Sequence, residues 1–467
     1  MRSTEPLLLA AAALLSGCSL APDYHRPQVA VPATYKEVPD GWTVATPAAD
    51  ARPASWWEAF GDPVLTGLEA RIEAANPSLA AAVARYDEAA GALHEARAGL
   101  FPTIGVGGSA ERDRVSANRP LSNGRAVTFN DYSVGASLAW EVDLFGRVRN
   151  SIRAGRAEAQ ASAADVAGVR LGLQTSLAIA YFQMRGLDAR DGLLRQTVDA
   201  YQRAYDLTET RHEGGVASGL DTSRARTQLA SARAELSEVH ADRAALEHAI
   251  AVLVGEPAST FAIPPDPRQS LPPAFPTGTP STLLQRRPDI DAAERRVAAA
   301  NARIGVARAA IFPSLSLGAG GGYETTGASL LHTASSFWAL GPAAAALTVF
   351  DGGARAARVR IARGEFQEAS ANYKQTVLNA FREVEDDFAR GRDLMQEERD
   401  QREAAVAAEQ TRDLALTRYR DGASDYLEVV TAQTAALDAE RALLDLHTRQ
   451  LTTAVDGVRA LGGSSGA

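Results

Sequence analysis

The sequence predicts an α+β membrane protein with an internal two-fold repeat, in which β-strands cross a membrane and very long α-helices extend away from it. Three observations predict this class. Two long stretches lack proline, the same order of motifs occurs twice, and segments between the helices alternate apolar with polar or small residues. Together they predict four strands per chain, which are too few to close a barrel within one chain.

The composition is that of an ordered protein in which both signs of charge are mixed along the chain. The chain has 467 residues, of which 46% are apolar and 22% are charged, and its net charge is −9. Because no basic patch accumulates, we expect no nucleic-acid partner. The single cysteine, Cys18, excludes disulfides within the chain and zinc sites built from several cysteines.

The first 18 residues predict a secretion signal followed by a lipid anchor. Residues 1–17 contain an apolar run at 7–15, too short for a spanning helix and typical of a signal peptide. The LSGC sequence that ends at Cys18 resembles the bacterial lipobox, which predicts a diacylglyceryl group on Cys18 and no other cofactor. Ser19 resembles the outer-membrane sorting pattern. The alternative is a cysteine that follows a signal peptide by chance.

The prolines divide the chain into helical and non-helical parts. Seven of them lie in 22–63 and nine in 257–288, whereas 121–256 and 343–467 contain none. Proline costs about 3 kcal/mol inside a helix. The two proline-free stretches, which are rich in Ala, Leu, Arg, Glu and Gln, are therefore where very long helices are expected.

Two pairs of matching motifs indicate a duplication. The Phe-Pro pair at 101–102 recurs at 312–313, which is 211 residues later. RHEGGV at 211–216 matches RYRDGA at 418–423, at an offset of 207. Each half has the same order of a medium helix, a Gly-rich segment, a long helix, a Gly turn and a second long helix.

This order predicts the domain plan of the chain. The predicted parts are a signal peptide at 1–17, an anchored extended segment at 18–62, a first repeat at 63–256, a Pro-rich linker at 257–280, a second repeat at 281–461 and a flexible tail at 462–467.

Each repeat is predicted to contain a long helical hairpin, at 144–254 and at 351–461. Apolar residues recur at nearly heptad spacing in the second hairpin, as in Tyr373, Val377, Phe381, Val384, Phe388 and Met395. This spacing favours helices packed side by side along most of their length. A helix of about 68 residues from 144 to 211 is roughly 100 Å long.

The segments before the hairpins read as membrane strands. Residues 131–143 alternate strictly between a face with Tyr, Val, Leu and Trp and a face of small or polar residues. Residues 314–324 repeat the pattern more weakly. Strict alternation with aromatics near both ends is typical of membrane-barrel strands, although a half-buried hairpin of a soluble domain is the alternative. The predicted strands lie near 102–112, 131–143, 313–324 and 336–350.

Strand closure sets the predicted assembly. Unpaired backbone groups at open edges cost several kcal/mol each in lipid, so the strands must close by association of chains. Two chains give eight strands with a filled interior, whereas three chains give twelve strands and an open pore. The prediction is a trimeric 12-stranded outer-membrane β-barrel, with 4 strands per chain, continued by an α-helical periplasmic coiled-coil barrel.

Several motifs make the chain similar to a known family. The second repeat contains LQRRPDI, AAERR, AAN, IGVA and FP between 284 and 313, which resemble the signature of the OprM-like lipoproteins of the TolC family of outer-membrane efflux channels. Further similar motifs are GC, PDY and RP within 17–27, WW and FGDP within 56–63, DLFGR at 143–147 and FDGG at 350–353.

The resemblance implies both an assembly and a role. It implies a homotrimer with a twelve-helix periplasmic tunnel and an equatorial belt built from the N-terminal segment, the Pro-rich linker and the C-terminus. It also implies a tripartite assembly with a periplasmic adaptor (membrane fusion) protein and an inner-membrane pump of the resistance-nodulation-division (RND) type. The channel is then a passive exit duct for drugs or other toxic small molecules.

The two hairpin turns are the predicted periplasmic tip, where the family contacts its adaptor. Gly214, Gly215 and Gly422 supply the backbone freedom that tight reversals need. The side chains that flank the turns are the aperture or gate candidates. They are Leu427, Asp425, Asp421, Glu428 and Asp221.

Three-fold symmetry makes a ring of any one of these carboxylates, which would attract cations. Leu427 stands where the family has an apolar gate residue. Thr431 stands where the relatives often have an Asp, so the acidic constriction is expected to be weaker here or to move to Asp425. The alternative is that these are solvated charges that cap helix ends, which applies equally to Asp221.

No other pattern indicates chemistry. The seven histidines show no metal-ligand spacing, and the glycines at 318–322 are not followed by a helix in a nucleotide-binding arrangement. An enzyme and a metal site are therefore not expected. The remaining competitor is a lipid-anchored periplasmic coiled-coil scaffold without a pore, which would not need the duplicated strands.

Overall fold

The computed structural model describes most of the chain, in two compact units. The described residues are 19–38, 55–120, 123–273, 284, 286–328 and 334–463. The predicted signal peptide, Cys18 and the last four residues of the predicted tail lie outside them. The sheet unit comprises Met1–Gln28, Arg85–Ala163 and Ala292–Lys374, and the helical unit comprises Val29–Ala84, Ala164–Asp291 and Gln375–Ala467.

The helices repeat in length as well as in order. The main α-helices in the described residues are α1 (Pro63–Ala75), α2 (Pro77–Ala98), α3 (Arg147–Glu213), α4 (Gly219–Leu253), α5 (Pro288–Ala309), α6 (Ala354–Arg420) and α7 (Tyr426–Ala460). Helices of 22, 67 and 35 residues follow one another in each half. The two 67-residue helices run without a break through the proline-free stretches, at about 1.5 Å per residue.

The sheet unit contains one antiparallel sheet. Its strands are β1 (Thr103–Val115), β2 (Val127–Val142), β3 (Ser314–Thr325), β4 (Phe337–Leu340) and β5 (Ala343–Ala346). β1 pairs with β2, β2 pairs with β3, and β4 and β5 both pair with β3. The sheet is open, with β1 at one edge and β4 and β5 at the other.

The fourth predicted strand, at 336–350, is shorter than predicted and interrupted. β4 and β5 keep a single register, because Leu340 is opposite Gly320 and Ala343 is opposite Leu317. Between them, the Gly318 N–H donates to the Pro342 carbonyl at 2.8 Å. Proline has no N–H to return that hydrogen bond, which explains the break. Residues 347–350 lie outside the strand.

One face of the sheet carries apolar residues on every strand, and on β1 these end before Arg112. Ile104 is opposite Leu138, and Leu317 is opposite Trp140. The side chain of Ile104 is 73% exposed in the single chain. The sheet therefore presents apolar side chains outward, as expected of strands that contact lipid.

The opposite face carries mainly small and polar residues, and its large apolar side chains include those of Trp338 and Leu340 on β4. The hydroxyls of Ser109 and Ser133 lie 2.9 Å apart across β1 and β2. Gly322 approaches the backbone of β2 so closely that a Cβ there would lie 2.2 Å from the Val134 carbonyl oxygen. The glycines at 318–322 thus permit close strand packing.

The helical unit is built around a core of aromatic and aliphatic side chains. Asp62 caps α1 by accepting hydrogen bonds from the backbone N–H groups of Val64 and Leu65, at 2.9 and 3.1 Å. The Tyr181 hydroxyl donates to the same carboxylate at 2.7 Å. The most deeply buried core members include Trp56, Leu65, Ile72, Leu177, Phe182, Met184 and Ile250.

The Pro-rich linker is held by its backbone carbonyls. Arg185 donates to the Pro264 carbonyl at 2.8 Å, and Arg243 donates to the Ile263 carbonyl at 2.6 Å. Both guanidinium groups also bind the buried carboxylate of Asp188, at 2.8 and 2.6 Å. The linker thus docks on α3 and α4 although its prolines lack N–H donors.

The segment after the predicted anchor is extended and bound to helices. In the sheet unit, Asn301 donates to the Pro22 carbonyl at 2.9 Å, and Arg26 donates to the Tyr373 hydroxyl at 2.8 Å. In the helical unit, the backbone N–H groups of Lys36 and Glu37 donate to Glu385 at 2.9 and 3.0 Å. These three helical partners come from the second repeat, whereas Ser19 donates to Asn150 of α3, in the first repeat, at 3.1 Å.

Candidate functional site

The turn between α3 and α4 is a tight reversal that depends on one glycine. The N–H of Gly214 donates to the Thr210 carbonyl at 3.0 Å, that of Gly215 to His212 at 2.9 Å and that of Val216 to Arg211 at 2.8 Å. Gly215 has φ +74°, which disfavours any residue with a Cβ. Of the two glycines predicted for this turn, Gly215 is therefore the one whose backbone conformation requires glycine.

The turn between α6 and α7 has the same three hydrogen bonds. The N–H of Asp421 donates to the Thr417 carbonyl at 3.0 Å, that of Gly422 to Tyr419 at 3.1 Å and that of Ala423 to Arg418 at 2.8 Å. Gly422 has φ +76°. The two turns match at the offset of 207 residues that relates their sequences, so the duplication extends to backbone geometry.

Two of the acidic candidates cap the helices that leave the turns. Ser218 and Asp221 form a capping box at the start of α4, in which Asp221 also accepts from the Ser218 hydroxyl at 2.8 Å. Asp425 caps α7 by accepting from the backbone N–H of Glu428 at 3.1 Å. Acceptors at these positions satisfy N–H groups that the helix leaves free.

The other candidates lie on the exposed surface of the second turn. Glu428 accepts from Arg418 at 3.2 Å. Asp421 lies directly before Gly422 and is exposed. Leu427 is 46% exposed, whereas the preceding residue, Tyr426, is buried. The structure thus brings Asp421, Asp425, Leu427 and Glu428 to one turn and leaves Asp221 at the other.

A guanidinium joins the two turns. Arg211, at the end of α3, donates to the carbonyls of Tyr419 and Arg420 at 2.9 and 2.8 Å. These carbonyls belong to the last turn of α6, where the helix has few N–H partners to offer. The Arg211 guanidinium also lies 4.7 Å from the centroid of the Tyr419 ring. Two hydrogen bonds and a ring contact therefore fix the first turn against the second.

An aromatic cluster lies directly beneath this contact. The rings of Tyr419 and Tyr426 meet edge to face at 5.3 Å, and both pack with Val429 and with Ala225 of α4. Burial raises the pKa of Tyr426 to about 12. This hydroxyl is therefore neutral at physiological pH, and the cluster is an apolar support for the tips.

Sequence reasoning missed Arg211, Tyr419 and Tyr426 as structural parts of this site. An arginine near the end of a polar helix looks like any other surface arginine. The available signal was the matched pair of Arg211 and Arg418 in the two repeats, which marked the turn but not the contact.

The described residues contain no other site of recognisable chemistry. No group of three or more His, Cys, Asp or Glu side chains among them is arranged to hold a metal ion. Among the described helices, none has both the length and the apolar character needed to cross a membrane.

Comparison with known proteins identifies the family. The family model described as outer membrane efflux protein matches residues 70–256 and 279–463, which are the two repeats. The chain belongs to the outer membrane efflux protein family. The duplication seen in the sequence thus corresponds to two copies of the family domain.

Individual members of the outer membrane efflux protein family align along nearly the whole chain. The probable efflux pump outer membrane protein TtgC of Pseudomonas putida is 33% identical over 463 residues, which are 98% of this chain and 94% of TtgC. The outer membrane protein OprJ of Pseudomonas aeruginosa is 33% identical over 458 residues, which are 96% of this chain and 93% of OprJ.

Solved structures of channels share the fold. The outer-membrane channel OprN superposes with a TM-score of 0.87 at 29% identity and covers 96% of this chain and 100% of its own. The outer membrane channel MtrE of Neisseria gonorrhoeae, in its open state, gives a TM-score of 0.82 at 26% identity, over 96% of this chain and 99% of its own.

These findings confirm the predicted fold class and the predicted function. The chain is an outer-membrane efflux channel protein, with the repeated helical and strand architecture of that class. Its location in the outer membrane is confirmed as well. The competing idea of a coiled-coil scaffold without a pore does not fit these relatives.

Proposed function

We propose that this outer membrane efflux protein acts as a homotrimer that forms the passive exit duct of a tripartite efflux system. Small molecules would be delivered by an inner-membrane pump of the RND type through a periplasmic adaptor. The observation that carries the proposal is the open sheet of β1, β2, β3 and the interrupted last strand β4–β5, which carries apolar residues on one face. Such a sheet is stable in lipid only when its edges are paired.

Three copies account for both edges of the sheet. β1 of one copy would pair with the β4 and β5 edge of the next, and three copies give twelve strands around a lumen. The face with Ser109, Ser133 and the glycines would line this lumen, since the apolar face carries Ile104 and Leu138. Most side chains on this face are polar or small and leave room for water and solutes, and the Trp338 ring lies over the glycines of β3.

The helices supply the periplasmic part. α3 and α6 each have 67 residues and therefore extend about 100 Å. This reach suits a tunnel that leads from the outer membrane towards an adaptor. The turns at Gly214, Gly215 and Gly422 would contact the adaptor, because they end both hairpins.

The gate would be formed where three second turns meet. Leu427 is exposed although it is apolar, which supports a role in a contact between copies. Asp421, Asp425 and Glu428 would place carboxylates near the same opening, with Asp221 on the alternate hairpins. Because Asp221 and Asp425 already cap helices, their carboxylates would be held in fixed positions.

We also propose a diacylglyceryl anchor on Cys18 and no catalytic activity. The LSGC sequence supports the anchor, and the lipid would be the only group bound covalently. A passive duct needs no catalysis, because the pump supplies the energy. Relatives are named for efflux of antibiotics, toluene and cations, which supports a duct whose cargo is chosen by the pump.

The deciding experiment is purification of the full chain from outer membranes in mild detergent, with mass determination of the complex. We expect a species about three times the mass of the mature chain, and discrete conductance steps when it is placed in a planar bilayer. A monomer would contradict the shared barrel. A trimer that shows no conductance would contradict an open duct in the resting channel. Addition of the adaptor would then test whether the aperture opens when the adaptor binds.

A further inference from the structure

The two turns are equivalent in sequence and in backbone hydrogen bonds, but their guanidinium groups have different partners. Arg211 binds the last carbonyls of α6, which belong to the other repeat. Its equivalent at the offset of 207 is Arg418, which lies one turn before Gly422. In the single chain, Arg418 pairs with Glu428 at 3.2 Å, and the two side chains are 58% and 42% exposed.

The repeat specifies what Arg418 should bind. Adding 207 to 212 and 213 gives 419 and 420, so the carbonyls of His212 and Glu213 are the equivalents of the two acceptors of Arg211. The Tyr419 carbonyl accepts from Gly422 and from Arg211 together. The His212 carbonyl accepts from Gly215 in the same way, which leaves its second lone pair for another donor.

A single chain offers no second first hairpin for Arg418 to bind, because it contains one copy of each hairpin and the two already meet through Arg211. In a ring, each second hairpin has another neighbour, namely the first hairpin of the next copy. We propose that Arg418 of one copy donates to the carbonyls of His212 and Glu213 of the next copy. This rests on the proposed trimer.

The result is a ring of six guanidinium contacts at the tips. Three are the Arg211 contacts within chains, and three are the Arg418 contacts between chains. A single exposed pair such as Arg418 with Glu428 contributes little to stability, so Arg418 can exchange it readily. A bidentate guanidinium on helix carbonyls is stronger and has a fixed geometry, because its donors form a rigid fork.

The first test uses cysteine pairs and a short bis-maleimide cross-linker on the trimer in detergent. The chain has one native cysteine, Cys18, so two introduced thiols react selectively. Arg418→Cys with Glu213→Cys should give dimer and trimer bands on a denaturing gel. The matched control is Arg211→Cys with Arg420→Cys, which should cross-link within the chain and give no ladder.

The second test separates the contact between copies from the surface pair with Glu428. Arg418→Ala should lower the temperature at which the trimer dissociates and raise its resting conductance, and Arg418→Lys should restore only part of both. Glu428→Gln removes the surface pair and should leave the dissociation temperature of the trimer at the wild-type value. Equal effects of Arg418→Ala and Glu428→Gln on that temperature would overturn the proposal.

The failures are distinguishable. If the wild-type protein is a monomer, the trimer itself is wrong. If the wild-type protein is a trimer, the variant with Arg211→Cys and Arg420→Cys should cross-link within the chain. If the variant with Arg418→Cys and Glu213→Cys then gives no ladder, the trimer stands and the Arg418 contact is wrong.

Discussion

At the scale of single residues, Glu69 is the most unusual group in the helical unit. Its side chain is fully buried on α1, and neither carboxyl oxygen has a hydrogen-bond partner. Burial raises the pKa of Glu69 from 4.5 to about 9. The carboxyl is therefore neutral at physiological pH, because an isolated charge in this core would be very unfavourable.

Glu69→Gln should make stability less dependent on pH. Between pH 4.5 and 9 the folded chain holds a proton on Glu69 that the unfolded chain has lost, so stability falls as pH rises through this range. The loss is on the order of 1 kcal/mol per pH unit. We expect the apparent unfolding temperature in detergent to fall less between pH 6 and pH 8 in the variant than in the wild type.

Glu73→Gln is the matched control, because Glu73 lies on the same helix but is exposed and paired with Arg170 at 2.6 Å. It should retain the pH dependence of the wild type. Identical pH profiles for Glu69→Gln and the wild type would show that Glu69 is ionised in the folded protein.

Sequence patterns predicted the position of the turn residues better than their roles. Asp221 and Asp425 were expected either in a charged ring or as helix caps, and the hydrogen bonds show the caps. Acidic residues at a helix start suit both roles, so spacing alone does not separate them. Arg211 was missed because its acceptors are carbonyls 208 and 209 residues away, which no local pattern encodes.

At the scale of elements, the packing of β2 on β3 depends on Gly322. A Cβ at this position would meet the Val134 carbonyl oxygen at 2.2 Å and the Cα of Gly135 at 2.6 Å. Both are backbone atoms, so relief requires the strands to separate. The Gly-rich run of β3 is thus a requirement of strand spacing.

Gly322→Ala should therefore reduce assembly of the channel in the outer membrane. Severe loss is expected because overpacking against backbone costs roughly 1–3 kcal/mol or more and opens the ladder. The measurement is the amount of heat-resistant oligomer recovered from membranes. Gly107→Ala on β1 is the control, because nothing lies within 4 Å of a Cβ there and its yield should be normal.

The long helices were predictable because proline and composition act over many residues at once. The first hairpin begins at Arg147 and ends at Leu253, close to the limits of 144 and 254 that the sequence predicts. The last strand was less predictable, since Ala343–Ala346 has four identical residues and no alternation. Its pairing is decided by the register with β3, which the local sequence does not show.

At the scale of the whole molecule, the single chain leaves apolar residues exposed that a ring would cover. Leu427 on the second turn is 46% exposed, and Val216 on the first turn is 79% exposed. Only residues that face the three-fold axis narrow the aperture in the proposed trimer. The two residues therefore make a matched pair for locating the gate.

Leu427→Ala should raise the resting conductance of the purified channel, because three smaller side chains leave a wider opening. Its effect on stability should be small, since Leu427 is 46% exposed in the single chain. Val216→Ala should leave the conductance at the wild-type value. The reverse result, with Val216→Ala conducting more than Leu427→Ala, would place the constriction at the first turn.

Lipidation and assembly are expected to be separable. Replacing residues 1–18 by a cleavable signal without a lipobox should remove the acyl mass but leave a trimer of normal stability. Even an anchor with two acyl chains binds a membrane less firmly than a structure that spans it. The intact mass of the purified protein and its oligomeric state test this, and loss of the trimer would show that the lipid takes part in assembly.

The way in which the Pro-rich linker is bound has a consequence for tolerance to change. Arg185 and Arg243 bind the carbonyls of Ile263 and Pro264, groups that every residue type supplies. These hydrogen bonds do not depend on the side chains of the linker, whereas the side chains of Phe261 and Ile263 are buried in the core of the helical unit. Substitutions of exposed side chains within 257–273 should be nearly silent, and this stretch is a natural place to graft an affinity tag or a fluorophore without disturbing the channel.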